Sequence, residues 1–262
     1  MTKVLFFDID GTLIDTQGGI FKIPEGTKRK MKELQKQGNL LFVASGRPYA
    51  FIPKMLTDFG FDGMILCNGA HVELQGKIIY HQPININLLK RLVDKLNRNN
   101  FEYIIETKRY AYLNSKFRVL NDFFMSCNIN ENYLCEDFNE DEVLSECLKL
   151  EANIPVNCQK VIEEMIEKDF NYDKHGTDNA FEIYSDVISK AIGMRKVIDY
   201  FDLDIEKSYA FGDGLNDLEM IKTADVGIAM GNAVDELKKA SDIVCDTVQN
   251  NGLEKILIEL FG

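Results

Sequence analysis

Six short apolar runs, each stopped by polar or turn-forming residues, restrict the fold more than any other feature. They are VLFFDID at the start of the chain, LLFVAS, MILCNGA and, much later, SYAFGDG, VGIAM and DIVCDT. Runs this short and this continuously apolar read as strands buried on both faces, the situation of a parallel sheet covered by helices. Amphipathic segments fall between them. PEGTKRKMKELQKQGN opens on Pro24, puts Met31 and Leu34 on one face, and has Gly38 where a helix C-terminus belongs. NDLEMIKTA, NAVDELKKAS and LEKILIEL read in the same way. Strand, helix and strand in repetition imply right-handed crossovers and an α/β fold, a doubly wound and mainly parallel sheet.

The middle of the chain breaks this rhythm. INLLKRLVDKLNRNN predicts a helix, and FEYIIETKRYAYLNS predicts a hairpin about a Thr-Lys-Arg turn. KLEANIP, QKVIEEMIEKDF and AFEIYSD continue as strand, helix and strand. The expected organisation is therefore a core of residues 1–81 and 187–262, interrupted at 82–186 by an α+β domain over the end of the sheet. Phe123, Phe124 and Met125, with Tyr103, Tyr110 and Tyr112, read as core rather than pocket lining, since aromatics at alternating strand positions pack across strands. DKHGTDN, containing His175, Asp178 and Asn179, reads as a loop able to face a site.

Charge and cysteine usage narrow the partners. Lys and Arg total 30 against 42 Asp and Glu, a net charge of -12. Nucleic acid and anionic membrane both require a basic footprint and are excluded as main partners. No stretch approaches the ~20 apolar residues of a membrane span, and VLFF is too short for a leader. The six cysteines form no CxxC pair, and the three histidines show no metal-binding interval. The expectation is a cytoplasmic protein with reduced thiols, monomeric or weakly self-associating.

Polar residues gather where the apolar runs end, which is where doubly wound sheets bind ligands. Asp8 and Asp10 close the first run, Ser45, Gly46 and Arg47 follow LLFVA, and Gly212, Asp213 and Gly214 follow SYAF, with Asn216 and Asp217 just beyond. Lys190 falls where a helix begins, and a helix N-terminus favours anions. Together these parts suit a phosphate ester. A carboxylate can attack phosphorus and form an aspartyl-phosphate, provided that its repulsion from a dianion is cancelled. Asp8 and Asp213 offer hard oxygens suited to Mg²⁺, and Lys190, the Ser45 hydroxyl and loop amides can hold the phosphate oxygens. Asp10 is placed to act as general acid and then base. Gly11 permits the tight turn, and the Thr12 hydroxyl can orient a carboxylate. Arg47 either touches the substrate or salt-bridges a neighbour, and Asp15 reads as a turn residue.

DIDGT, the Ser45 of VASGR, Lys190 and GDGLND resemble, in order and spacing, the four motifs of the haloacid dehalogenase superfamily. CNGA (67–70) and AMGNAVDELKKASD (229–242) are similar to its Cof-type subfamily, whose members carry a large α/β cap between the second and third motifs. The resemblance implies Asp8 as nucleophile and Asp10 as acid/base. It implies Asp8, the Asp10 backbone carbonyl and Asp213 as Mg²⁺ ligands, and Ser45, Gly46, Lys190 and Asn216 as phosphate contacts. Asp217 then supports the metal shell or Lys190. SKAIG departs from relatives that have glycine directly after the lysine. The implied activity is hydrolysis of a small phosphorylated metabolite such as a sugar phosphate; a phosphosugar mutase and a non-catalytic phosphosugar sensor are the alternatives.

Overall fold

The computed structural model describes residues 2–126, 134–175, 179–201 and 205–262. The chain separates into two compact units: Met1–Gly46, Met55–Tyr80 and Ser189–Gly262 form the first, Arg47–Lys54 and His81–Ile188 the second. Along the chain come β1 (Thr2–Phe7), α1 (Glu25–Lys36), β2 (Leu40–Ala44), α2 (Lys54–Thr57), β3 (Gly63–Leu66), β4 (His71–Leu74) and β5 (Lys77–His81). Then follow α3 (Ile86–Arg98), β6 (Glu102–Glu106), β7 (Ala111–Leu113), α4 (Arg118–Ser126), β8 (Leu134–Cys135), α5 (Glu140–Leu144), β9 (Lys149–Asn153), α6 (Lys160–Asp169), β10 (Asn171–His175) and β11 (Ala180–Tyr184). The chain ends with α7 (Lys190–Phe201), β12 (Ile205–Gly212), α8 (Leu218–Thr223), β13 (Val226–Ala229), α9 (Asp235–Ala240), β14 (Ile243–Val244) and α10 (Gly252–Phe261).

The first unit holds an eight-stranded sheet in the order β14-β13-β12-β1-β2-β3-β4-β5. Its strands pair in parallel from β14 through β3, and β4 returns antiparallel to β3. β1 lies at the centre, so Val4, Leu5, Phe6 and Phe7 are all fully buried; covering both faces is what lets an unalternating apolar run persist. Phe7 stacks on Phe211 of β12 with ring centres 4.8 Å apart. Helix α1 buries Met31 and Leu34, and Gly38 ends it with φ +88°, a left-handed conformation that glycine adopts freely. DIVCDT departs from expectation: β14 is the last strand of the sheet, two residues long, and Val244 is half exposed. An edge strand has only one neighbour and needs no apolar residues on both faces.

The second unit is a six-stranded sheet, β10-β11-β9-β6-β7-β8, antiparallel except for β7 beside β8. The expected hairpin is β6–β7, turning through Thr107, whose N–H donates to the Tyr110 carbonyl. On one face Leu89, Leu92 and Leu96 of α3 and Ile162 and Ile166 of α6 pack against Ile105, Leu150, Phe181 and Ile183. On the other, Ile104, Ala111 and Leu113 pack with Leu120 and Phe124 of α4 and with Ala50. That last contact corrects the expected boundary. Arg47–Lys54, placed by the sequence in the core, clusters with the second unit: Ala50 is buried there, Phe51 stacks on Phe124 at 5.0 Å, and Arg109 lies over the Tyr49 ring.

Two further expectations change. Part of DKHGTDN is strand, since His175 in β10 pairs with Ala180. Asn179 accepts the Ile154 N–H at its carbonyl and the Val156 N–H at its side chain, and Asp178 lies outside the described residues. Of the aromatics, Tyr103 and Phe124 are core, whereas Phe123 and Tyr110 are half exposed. Among the described residues no helix is long and apolar enough to cross a membrane.

Candidate active site

β1 runs directly into the first motif. The Asp8 N–H continues the ladder to the Phe211 carbonyl at 3.0 Å, after which Thr12, Leu13 and Ile14 all turn back to donate to the Ile9 carbonyl. Gly11 holds φ +78°, and a Cβ there would strike the Asp213 carboxylate. Glycine is thus needed twice over, for the left-handed turn and for the close approach of GDGLND to DIDGT. Ser45 directly follows β2, its N–H bonded to the Ile65 carbonyl at 2.8 Å.

At the centre stands Lys190, 1% exposed at the first position of α7. Its Nζ lies 2.6 Å from Asp8 Oδ1 and 2.6 Å from Asp217 Oδ1. Asp217 is wholly buried, and its other oxygen accepts the N–H groups of Asp213 and Gly214, each at 3.0 Å. Asp217 is thereby committed on both oxygens, one to Lys190 and one to the turn carrying Asp213. Carboxylate oxygens of Asp8, Asp213 and Asp217 lie within 4.8 Å of one another, and that acidic group could hold a divalent metal.

The electrostatics are unbalanced. Burial pushes the Asp8 carboxyl well above its usual range, Lys190 pulls it down, and Asp217, Asp213 and Asp10 push it up again, for a net rise. Asp213 is pushed up to about 7, first by burial and then by Asp217. Burial also opposes the Lys190 ammonium, but Asp217 and Asp8 more than offset this and hold its pKa above the usual lysine value. One ammonium does not neutralise this many carboxylates, and a divalent cation among Asp8 and Asp213 would.

The predicted residues do not all share one environment. Asp10 is exposed and makes a bridge to Ile14. The Thr12 hydroxyl is buried without a well-formed hydrogen bond, yet it stands close enough to Asp213 to favour its charged form. Asn216 donates to the Asn68 side chain at 3.2 Å. Arg47 is grouped with the second unit, and its guanidinium donates to the Phe51 carbonyl at 2.8 Å. Two residues without an assigned role are built in as well. Asn232 donates to the Gly11 carbonyl at 2.7 Å and accepts from the Val248 N–H. Asn68 is buried between the second and fourth motifs, and its place within CNGA was the only trace of it in the sequence.

Known proteins resemble this chain over nearly its whole length. YkrA of Bacillus subtilis, a phosphatase by assignment, is 33% identical over 99% of this chain and 98% of its own. YitU of the same organism, a 5-amino-6-(5-phospho-D-ribitylamino)uracil phosphatase, is 26% identical over 99% and 97%. The solved structure of BT1666 from Bacteroides thetaiotaomicron, analysed among phosphatases of the haloalkanoate (HAD) enzyme superfamily, matches with TM-score 0.81 and 25% identity over 99% and 95%. The model of the haloacid dehalogenase-like hydrolases matches residues 5–257. The chain therefore belongs to the haloacid dehalogenase-like hydrolase family and is an enzyme of it, a phosphatase.

Proposed function

We propose that the enzyme hydrolyses small phosphate monoesters, sugar phosphates among them, through a phosphoryl group carried on Asp8. The observation that carries this reading is the buried Lys190 held 2.6 Å from both Asp8 and Asp217. A lysine so placed offsets the repulsion between an attacking carboxylate and a phosphate dianion, the main obstacle to this chemistry. A phosphorylated substrate is also what YitU, by its name, acts on.

In the proposed sequence a carboxylate oxygen of Asp8 attacks phosphorus as the bond from phosphorus to the ester oxygen breaks. Asp10, exposed at the same turn, gives its proton to the departing alkoxide. Asp10 then takes a proton from water, whose oxygen attacks phosphorus, and Asp8 leaves as carboxylate with inorganic phosphate released. Such acid–base help is worth typically ~10²–10⁴-fold. Ser45, Gly46, Asn216 and Lys190 hold the non-bridging oxygens. The donor set is all oxygen and in excess of its cations, which fits Mg²⁺. Asp8, the Asp10 carbonyl and Asp213 would hold the ion, and its charge would neutralise the phosphoryl oxygens when bound.

Asp8→Asn should abolish phosphate release while leaving the melting temperature unchanged or higher, because a buried and crowded carboxylate is removed. Turnover at the wild-type rate in that variant would overturn the proposal. Exhaustive chelation should also abolish turnover, with Mg²⁺ restoring it.

A further inference from the structure

We propose that Asn68 is a phosphate-binding residue of this site, its side-chain amide donating to an oxygen of the anion. The inference rests on the phosphatase reading above and adds a residue which that reading does not include. Cys67 and Asn68 hold φ 50° and 54°, in the left-handed region that asparagine enters more readily than most residues. Gly69 follows at φ +99°, where a Cβ would run into the Ser189 carbonyl. The turn is thereby pressed against the start of α7, which carries Lys190.

Two hydrogen bonds hold Asn68, one at its backbone and one at its carboxamide. Its backbone N–H donates to the Ser45 carbonyl at 3.1 Å, and its Oδ1 accepts from Asn216 Nδ2 at 3.2 Å. A Cβ on Gly46 would lie 3.0 Å from the same oxygen. The group is thus wedged between Gly46 and Asn216, two of the proposed phosphate contacts. Its Nδ2 is left over: it is buried, in a side chain 2% exposed, and makes no hydrogen bond.

A buried donor without an acceptor forfeits its hydration with nothing in return, and such groups are rare outside functional sites. Turning this carboxamide alone would set its NH₂ against that of Asn216, and turning both amides would strand the Asn68 oxygen in its place, so a buried polar atom of Asn68 stays without a partner either way. The other orphaned side-chain atoms described in this unit are the hydroxyls of Thr12 and Ser189, which can rotate toward a partner. The Asn68 amide is fixed, and an anionic oxygen beside Ser45 and Lys190 would satisfy it.

The test is calorimetric titration of the whole chain with inorganic phosphate in the presence of Mg²⁺. Asn68→Gly keeps a residue suited to positive φ and removes the donor. Asn68→Asp keeps the shape and the acceptor for Asn216 but replaces the donor with an anion. The dissociation constant for phosphate should rise about tenfold to a hundredfold in Asn68→Gly and further in Asn68→Asp, with KM for an ester rising in parallel. The Asn68→Gly loss should persist in an Asn216→Ala background. Wild-type affinity in both variants would overturn the assignment, as would a loss that vanishes once Asn216 is gone, since Asn68 would then act only through Asn216. No phosphate binding by the wild-type chain would instead overturn the phosphatase site itself, and this assignment with it.

Discussion

Each of the two units encloses a lysine that is 1% exposed, and the two are built differently. Lys190 begins a helix, and its partners Asp8 and Asp217 lie in turns beyond strand ends. Lys149 sits within β9, directly paired with Glu106 of β6, its Nζ 3.2 Å from that carboxylate and 2.9 Å from Glu182 of β11. In the first case loops bring the charges together beyond the strand ends of a parallel sheet, where such sheets bind ligands. In the second, strand register alone places them on one sheet face, close to the apolar contacts of Ile104 and Ala111. A buried charge cluster is thus not by itself a site. What separates the two is position in the fold: turns beyond strand ends in one, mid-strand register in the other.

Removing each lysine in turn should break the comparison if it is wrong. Lys190→Met should lower kcat/KM by about 10²–10³-fold or more, measured on protein shown to be folded by circular dichroism. Lys149→Met should leave turnover per folded molecule within about threefold but cost on the order of 3–5 kcal/mol of stability, because Glu106 is left buried and unpaired. Equal losses of turnover in the two variants would erase the distinction between them.

A smaller effect sharpens it. Combining Lys149→Met with Glu106→Gln should destabilise less than Lys149→Met alone, since the uncompensated charge goes with its partner. Denaturant titration of the single and double variants measures the difference. The smallest effect is in pH. Burial lifts the Glu106 carboxyl well above its usual value of 4.5; Lys149 opposes this, and Glu182 and Glu151 add to it. The folded state therefore holds this proton more tightly than the unfolded chain does. Its contribution is full below about 4.5 and is lost as pH climbs through the raised folded value. Melting temperatures of Glu106→Gln relative to wild type should accordingly improve as pH rises from about 5 to 8.

The same contrast explains what could be read in advance. DIDGT, Ser45, Lys190 and GDGLND were legible because a parallel sheet puts its chemistry at the ends of apolar runs, and those ends are visible in one dimension. The helices over 25–36, 86–98 and 252–261 were legible from their periodicity. Lys149 and Glu106 were not, because only the register of β9 against β6 makes neighbours of residues so far apart in the chain. Asn68 was hidden for a related reason: its unpartnered amide exists only once Gly46 and Asn216 close around it. The segment 47–54 escaped because Ala50 and Phe51 carry no periodic signal, and their partners Leu113, Leu120 and Phe124 lie far along the sequence.

The central claim is that Asp8, facing Lys190, becomes phosphorylated. Acid-quenched turnover followed by borohydride reduction and peptide mapping tests it most directly, since an acyl phosphate is reduced to an alcohol whereas a free carboxylate is not. Reduction at Asp8, dependent on substrate and absent from Asp8→Asn, is the predicted result. Reduction at another residue, or full turnover with Asp8 never modified, would contradict it.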